Sequence, residues 1–201
     1  MSQQYTLKVQ NNTRNVGKIC VYQTLPDLND PTVMSLAWFA KVAHPTTHVQ
    51  FNWNIDYSFI WDETGPLVPG VVFDASQVWP AGLTSNNSVT FSSQQQALTF
   101  TNQQTAARAG TLYVHNDGTV PFDKASVGIG MSGAGTFAKP AQPNMTFSFT
   151  PHPEYWVTFG DYQVGEVLDI ESITNAQKIV FNPNVYNVDA VLNLDNTWTV
   201  K

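Results

Sequence analysis

Short segments in which apolar and polar residues alternate recur along the chain, and they restrict its fold more than any other feature. Residues 5–9, 47–53 and 145–149 alternate in this way, whereas helical periodicity is nearly absent. Alternation places side chains on the two faces of a β-strand, and the Asn, Asp, Gly and Pro residues between the segments favour turns. The pattern predicts an all-β protein, an antiparallel two-sheet β-sandwich with at most one or two short helices, in a single domain over residues 1–201.

Three segments have patterns that differ from simple alternation. Residues 32–43 follow an Asp-Pro pair that could begin a helix, but the β-branched and aromatic residues around them favour a buried strand. A second short helix is compatible with residues 172–177. The segment 82–104 is rich in Ser, Asn and Gln, and its spaced apolar residues predict a hairpin with its tip at residues 94–96.

The charge of the chain limits its partners. Only 12% of the residues are charged and the formal net charge is −6, without any run of basic residues. Nucleic acids and anionic membranes attract clusters of Lys and Arg, so we expect neither as a partner. No apolar segment has the length of a membrane-spanning helix, and the N-terminal residues lack the apolar core of a signal peptide. We therefore expect a protein that is cytoplasmic at synthesis, with export by a non-classical route left open.

The Cys and His residues form no recognisable metal motif. Cys20 is the single cysteine, which excludes an internal disulfide, and its apolar neighbours indicate a buried thiol. His44 and His48 have the spacing of a helical metal pair, but Pro45 between them opposes a helix. We therefore expect no metal site and no cofactor.

Residues 127–135 read Val-Gly-Ile-Gly-Met-Ser-Gly-Ala-Gly and would form a strand with one bare face. Gly128, Gly130 and Gly133 formally match a dinucleotide-binding pattern, but no helix start follows them. Without a side chain, such positions allow another group to approach the backbone closely. We interpret this segment, called the glycine strand below, as a packing device that admits an aromatic ring or a neighbouring sheet.

Ser132 in the glycine strand suggests a serine hydrolase as one alternative. Its surroundings resemble a nucleophile elbow, but the strand–turn–helix context of that motif is missing. A serine nucleophile needs a base, for which His115 and His152 are the candidates. Nothing in their spacing brings either histidine to Ser132.

Aromatic residues beside carboxylates provide a different kind of candidate site. Trp61 precedes Asp62, and Tyr155 and Trp156 directly follow Glu154. Aromatic rings present large, rigid contact surfaces, and carboxylates accept hydrogen bonds from hydroxyl groups. Trp61, Asp62, Tyr155 and Trp156 are therefore candidate binding residues for a carbohydrate, although strand alternation also allows a core position for each ring.

Several longer strings of residues carry a family resemblance. They are Ser-Leu-Ala-Trp-Phe-Ala-Lys at 35–41, Pro-Gly-Val-Val-Phe-Asp-Ala-Ser-Gln at 69–77, the glycine strand, and Thr-Pro-His-Pro-Glu-Tyr-Trp at 150–156. Together they resemble the rhizosphere-expressed RhiA family over nearly the whole chain. The resemblance implies an abundant bacterial product made near plant roots under quorum-type control. It implies no assigned biochemical activity and offers no catalytic residues.

These observations lead to one main hypothesis and two alternatives. The main hypothesis is a non-enzymatic β-sandwich that works by binding or self-association, with itself as partner and a role in bacterium–host or community interaction. It follows from the weakly charged surface, the many aromatic residues and the bare-faced strand. The alternatives are a lectin-like carbohydrate-binding module and a serine hydrolase that uses Ser132.

Overall fold

A computed structural model describes residues 3–25 and 30–201, and these residues form seventeen β-strands and one 3-10 turn. The 3-10 turn spans Ile170–Ser172. The strands are β1 (Gln4–Asn11), β2 (Gly17–Thr24), β3 (Met34–Ser35), β4 (Ala37–Ala43), β5 (His48–Asn54), β6 (Tyr57–Asp62), β7 (Gln77–Ala81), β8 (Ser88–Gln94), β9 (Ala97–Gln104), β10 (Leu112–Asn116), β11 (Ser126–Met131), β12 (Ala134–Pro140), β13 (Met145–Phe149), β14 (Glu154–Gly160), β15 (Ala176–Ile179), β16 (Asn187–Leu192) and β17 (Trp198–Val200).

The all-β prediction is confirmed, and most local predictions agree with the strands. The segment 32–43 contains β3 and β4, so its β-branched and aromatic residues indicated the right structure. The second short helix that residues 172–177 allowed does not form, because the 3-10 turn ends at Ser172 and β15 begins at Ala176. The hairpin tip is confirmed: Gln95 and Gln96 both have a positive φ in the turn between β8 and β9.

The prediction of two sheets is corrected, because the strands form four open sheets. Sheet 1 has the order β17-β16-β1-β5, sheet 2 β15-β14-β2-β4, sheet 3 β3-β12-β11-β6-β7 and sheet 4 β13-β10-β8-β9. Most neighbouring strands are antiparallel, but β1 pairs with β16 and β8 with β10 in parallel. Alternation shows which face of a strand is buried but not which strand lies beside it, so the sheet count could not be predicted from it.

The four sheets enclose two large hydrophobic clusters. The first core cluster combines side chains of sheets 1 and 2, among them Leu7 and Trp53 with Val21 and Trp38. The second core cluster combines sheets 3 and 4 in the same way, with Phe59 and Trp61 facing Phe91 and Phe149. Each cluster is therefore lined by a pair of sheets, as in a sandwich. The single domain over residues 1–201 stays a prediction.

The end of β11 lies where the two clusters meet. Met131, the last residue of β11, belongs to sheet 3, but its side chain packs in the first core cluster. The buried Trp38 indole of β4 donates a hydrogen bond of 2.8 Å to the Met131 carbonyl. Sheets 2 and 3 are thus joined by a side chain and a hydrogen bond at this point.

Expectations from the sequence also concern membrane-spanning helices, metal clusters and the Cys20 thiol. Within residues 3–25 and 30–201, no helix has the length and apolar character needed to cross a membrane. The same residues contain no cluster of three or more His, Cys, Asp or Glu side chains that could hold a metal ion. Cys20 is buried, and burial raises the pKa of its thiol. Residues 1–2 of the N-terminal segment considered for a signal peptide lie outside the described residues.

Candidate functional site

Trp61 is a core residue of β6. It is 5% exposed, and its indole donates a hydrogen bond of 2.8 Å to Gln77 Oε1. Its ring lies against Phe91 within the second core cluster, with ring centroids 5.4 Å apart. The structure therefore leaves Trp61 without an exposed ring face for a ligand.

Asp62 ends the same strand and is bound to the loop that follows it. Its carboxylate accepts a hydrogen bond from the Thr64 hydroxyl and another of 3.3 Å from the Asp74 backbone N–H. These contacts join the two ends of the segment between β6 and β7. Asp62 thus stabilises a loop, and Trp61 and Asp62 form no common surface with Tyr155 and Trp156.

Tyr155 and Trp156 are neighbours on β14, so their side chains point to opposite faces of sheet 2. Trp156 stacks on Tyr22 at 6.5 Å, and its indole donates a hydrogen bond of 3.0 Å to Thr24 Oγ1. Tyr155 packs instead against the first core cluster at the rim of a groove. Of the four residues predicted from the sequence, only Tyr155 lines that groove.

The groove has a volume of about 510 Å³ and lies at one end of the first core cluster. Its walls come from four separate parts of the chain: the start of β1, the start of β6, the segment leading into β14, and the end of β15 with the residues that follow. We call this feature the Tyr155 groove. It is lined by Tyr5, Ile55, Tyr57, Pro151, His152, Pro153, Glu154, Tyr155, Lys178, Ile179, Val180 and Phe181.

Aromatic rings form the floor of the Tyr155 groove. Phe181 contacts Tyr5 and Tyr155 edge to face, at centroid distances of 5.0 and 5.9 Å. The buried Trp53 lies behind them, 5.2 Å from Tyr155. Edge-to-face packing fixes the orientation of each ring, so the groove offers preformed aromatic surfaces.

The polar groups of the groove balance one another in charge. Lys178 and Glu154 form an ion pair across the paired strands β14 and β15. Burial raises the pKa of Tyr155 to about 12; the Trp53 indole opposes the rise, and the nearby Tyr57 and Tyr5 add to it. Burial likewise raises the pKa of Tyr57 to about 12. Both hydroxyls therefore stay protonated at physiological pH and can donate as well as accept hydrogen bonds.

The glycine strand does allow close approach, but its own hairpin partner approaches it. A Cβ at Gly130 would lie 2.7 Å from the Ala134 carbonyl oxygen, and one at Gly128 would overlap the Phe137 carbonyl oxygen. A bulge between β11 and β12 at this point brings these carbonyls over the bare face. Backbone of the paired strand in the same sheet therefore occupies the place that was expected for an aromatic ring or a neighbouring sheet. Gly133 has open space around it and is needed for its φ of +76°.

The expectation of a single strand over residues 127–135 is wrong, because Ser132 and Gly133 form a two-residue turn between β11 and β12. Both have a positive φ, as a tight hairpin turn requires. The Ser132 hydroxyl accepts a hydrogen bond of 2.7 Å from the Asn54 N–H and donates one of 3.2 Å to the Asn54 carbonyl. His115, one of the two candidate bases, pairs with the Thr146 hydroxyl at 2.8 Å. The structure thus gives Ser132 a role in binding the end of β5.

Sequence reasoning missed most of the groove. Tyr5 and Tyr57 lie in segments whose pattern predicts strands, and nothing in the sequence around Phe181 marks a site. They meet because β1 pairs with β16 in parallel, which brings the residues near 181–186 to the start of β1. The aromatic Tyr155 directly after the carboxylate Glu154 is the one local signal in the sequence that indicates the Tyr155 groove.

A comparison with protein-family models and a comparison with curated proteins both find a match over nearly the whole chain. The family model described as RhiA matches residues 2–201. Protein RhiA of Rhizobium leguminosarum bv. viciae is 38% identical over 201 residues, covering 98% of this chain and 86% of that protein. The chain therefore belongs to the RhiA family. No solved structure matches it.

Proposed function

We propose that the protein is a non-enzymatic binding protein that holds a carbohydrate in the Tyr155 groove and works as a self-associated assembly. The observation that carries the binding half is the groove itself, with preformed aromatic rings, protonated tyrosine hydroxyls and one ion pair around about 510 Å³. Ligand sites in proteins commonly have volumes of roughly 300–1,000 Å³. A role in bacterium–host or community interaction is part of the proposal.

The chemistry of the groove favours a neutral ligand rich in hydroxyl groups. Lys178 and Glu154 neutralise each other, so this ion pair adds no net charge to the groove. Tyr57 and Tyr155 provide hydroxyls that donate and accept, which suits the hydroxyls of a sugar. Phe181 and Tyr5 provide apolar surface for the C–H face of a sugar ring.

The binding test uses a glycan array followed by calorimetry on the glycans that bind. Tyr155→Phe removes one hydroxyl from the groove, and the loss of one hydrogen bond of about 1 kcal/mol weakens binding roughly fivefold. Phe181→Ala removes an aromatic surface, and we expect binding at least about tenfold weaker. Tyr113→Phe is the matched control, because Tyr113 lies on β10 of sheet 4, outside the groove.

Two results would contradict the carbohydrate proposal. One is the absence of binding to every glycan on the array by protein that is folded by circular dichroism. The other is glycan binding that Tyr155→Phe and Phe181→Ala leave unchanged, which would place the site elsewhere. The Ser132 hydrolase has no observation in its favour, because the hydroxyl is bonded to the Asn54 backbone.

A further inference from the structure

The edges of the four sheets differ in how well they are protected. Each open sheet ends in two edge strands, which are β17 and β5, β15 and β4, β3 and β7, and β13 and β9. An edge strand presents unpaired backbone N–H and C=O groups that can pair with another chain. Proteins usually prevent this with charge, Pro, a bulge, short length or a covering segment.

Side chains cover the edges of β5 and β9. Lys41 Nζ donates a hydrogen bond to the Gln50 carbonyl of β5, and Ser132 binds both backbone groups of Asn54 at the end of that strand. On β9, the Phe100 N–H donates a hydrogen bond of 3.1 Å to Gln77 Oε1. These contacts occupy backbone groups that another strand would need.

The remaining edges are protected in other ways. Strands β3 and β17 have only two and three residues, and β15 carries the charged Lys178. Strand β7 contains Pro80, whose carbonyl accepts a hydrogen bond of 2.6 Å from Gln103 Nε2. Strand β4 carries Lys41, and its Ala37 carbonyl accepts a hydrogen bond of 2.8 Å from the Gly165 N–H.

Strand β13 is the exception among the described edges. Its sequence Met-Thr-Phe-Ser-Phe has no charged residue, Pro or Gly, and its pairing with β10 is regular over all five residues. Within residues 3–25 and 30–201, the backbone of Thr146 to Phe149 makes no hydrogen bond outside that pairing. This edge therefore keeps a free row of backbone donors and acceptors.

The side chains of β13 alternate in a way that suits pairing with its own copy. Phe147 and Phe149 are 4% and 0% exposed and belong to the second core cluster, whereas Thr146 and Ser148 are exposed on the other face. Met145, at the start of the strand, is 49% exposed. The pattern is thus symmetric about Phe147, with apolar residues two positions away on each side.

We propose that β13 pairs antiparallel with β13 of a second copy of the chain, across a two-fold axis at Phe147. In this register Thr146 lies opposite the partner's Ser148, and Met145 lies opposite the partner's Phe149. Every apolar residue of β13 stays on the core face. The four-stranded sheet 4 of one subunit and that of its partner then form one continuous sheet. The strand itself carries no charge, and Lys139 Nζ, which lies 4.3 Å from the centre of the Phe147 ring, is paired with Asp30.

This inference rests on the self-association proposed above and names the surface that produces it. The test is analytical ultracentrifugation of the full chain over a wide concentration range. Ser148→Lys places a charge on an exposed position of the edge, and we expect a dissociation constant at least about tenfold higher than that of the unchanged chain. Thr199→Lys is the matched control, because Thr199 is an exposed residue of the short edge strand β17. Thermal melting confirms that both variants are folded.

A cross-linking experiment tests the register. A mixture of a Thr146→Cys variant with a Ser148→Cys variant should form a disulfide-linked heterodimer, because directly opposite Cβ atoms lie only about 4.5–5.5 Å apart in an antiparallel pair. Each variant alone should cross-link much less. The native Cys20 is buried and does not compete.

The outcomes separate the two proposals. Weakened association in Ser148→Lys only, together with the mixed cross-link, supports pairing through β13. Association that neither lysine variant changes overturns the β13 edge but leaves self-association intact. A monomer at all concentrations overturns self-association and the edge together, and leaves carbohydrate binding untouched.

Discussion

Replacing Gly130 by Val tests directly how the bare face of the glycine strand is closed. A Cβ at this position would lie 2.7 Å from the Ala134 carbonyl oxygen and 2.8 Å from Ser58 Oγ, whereas ordinary van der Waals contact begins at 3.4 Å. Ser58 can rotate its hydroxyl, but the Ala134 carbonyl belongs to the hairpin backbone. We therefore expect the carbonyl to be displaced by several tenths of an ångström, which disturbs the pairing of β11 with β12.

Two opposing effects determine how much the free energy of unfolding falls in Gly130→Val. A Gly-to-Ala change reduces the freedom of the unfolded chain and stabilises by about 0.4–1 kcal/mol where the backbone conformation permits it. Extra atoms in a packed interior cost about 1–3 kcal/mol or more, and Val adds two methyl groups beyond the clashing Cβ. We expect overpacking to win, with a net loss of about 2–3 kcal/mol in the free energy of unfolding.

The measurement is urea-induced unfolding followed by tryptophan fluorescence, together with thermal melting. A loss of about 2–3 kcal/mol lowers the melting temperature by about 4–12 °C in a chain of this size. Gly133→Asn is the control, because Gly133 has open space and Asn tolerates its positive φ, so we expect a change below about 1 kcal/mol. A Gly130→Val protein as stable as the unchanged chain would refute a bare face closed by backbone.

Two further predictions concern hydrogen bonds at strand ends and loops. Ser132→Ala removes the hydroxyl that binds both backbone groups of Asn54, and we expect urea unfolding to show a loss of about 1–2 kcal/mol; an unchanged midpoint would contradict this role. Burial alone would raise the pKa of Asp30, but hydrogen bonds from Lys139 and Thr32 outweigh it and hold the pKa at about 2. Because the folded pKa of Asp30 is below its unfolded value, the stability that its charged carboxylate provides is present above about pH 4 and is lost as the pH falls toward 2. In Asp30→Asn, the free energy of unfolding measured with urea should therefore fall less steeply over this pH range.

Local structure was predictable from the sequence because its causes are local. Alternation in the segments that became β1 and β13 reflects one buried and one exposed face of each strand, and that information lies within five to eight residues. The pairing of β1 with β16 depends on residues far apart in the chain, and no local pattern records it. For this reason the sequence pattern predicted two sheets, whereas the structure has four.

The candidate site was partly predictable for a related reason. Tyr155 was found because an aromatic residue beside a carboxylate is a local signal, but the same signal at Trp61 marked a core residue. Both positions alternate in the same way along their strands, and only the contacts of Trp61 with Phe91 and Gln77 reveal its burial. A binding residue and a core residue can thus share one sequence pattern.

Ser132 shows how a catalytic motif can arise from turn geometry. A two-residue hairpin turn with positive φ at both central positions favours small or flexible residues, and Ser132 and Gly133 occupy those positions. Gly130 is small because the Ala134 carbonyl lies over it. The resemblance to a nucleophile elbow is therefore explained by one turn and one close approach.

The two proposals are connected by the chain itself. Strand β13 ends at Phe149, and the Tyr155 groove begins at Pro151, so the proposed edge leads directly into the rim of the groove. Antiparallel pairing about Phe147 would place the two Phe149 residues at opposite ends of the joined strands, and each groove would follow at its own end. Two grooves held in this way would raise the effective concentration of the second site for a repeating glycan. A groove with weak affinity for one sugar unit would then bind a polymer tightly only in the dimer, which connects self-association with binding.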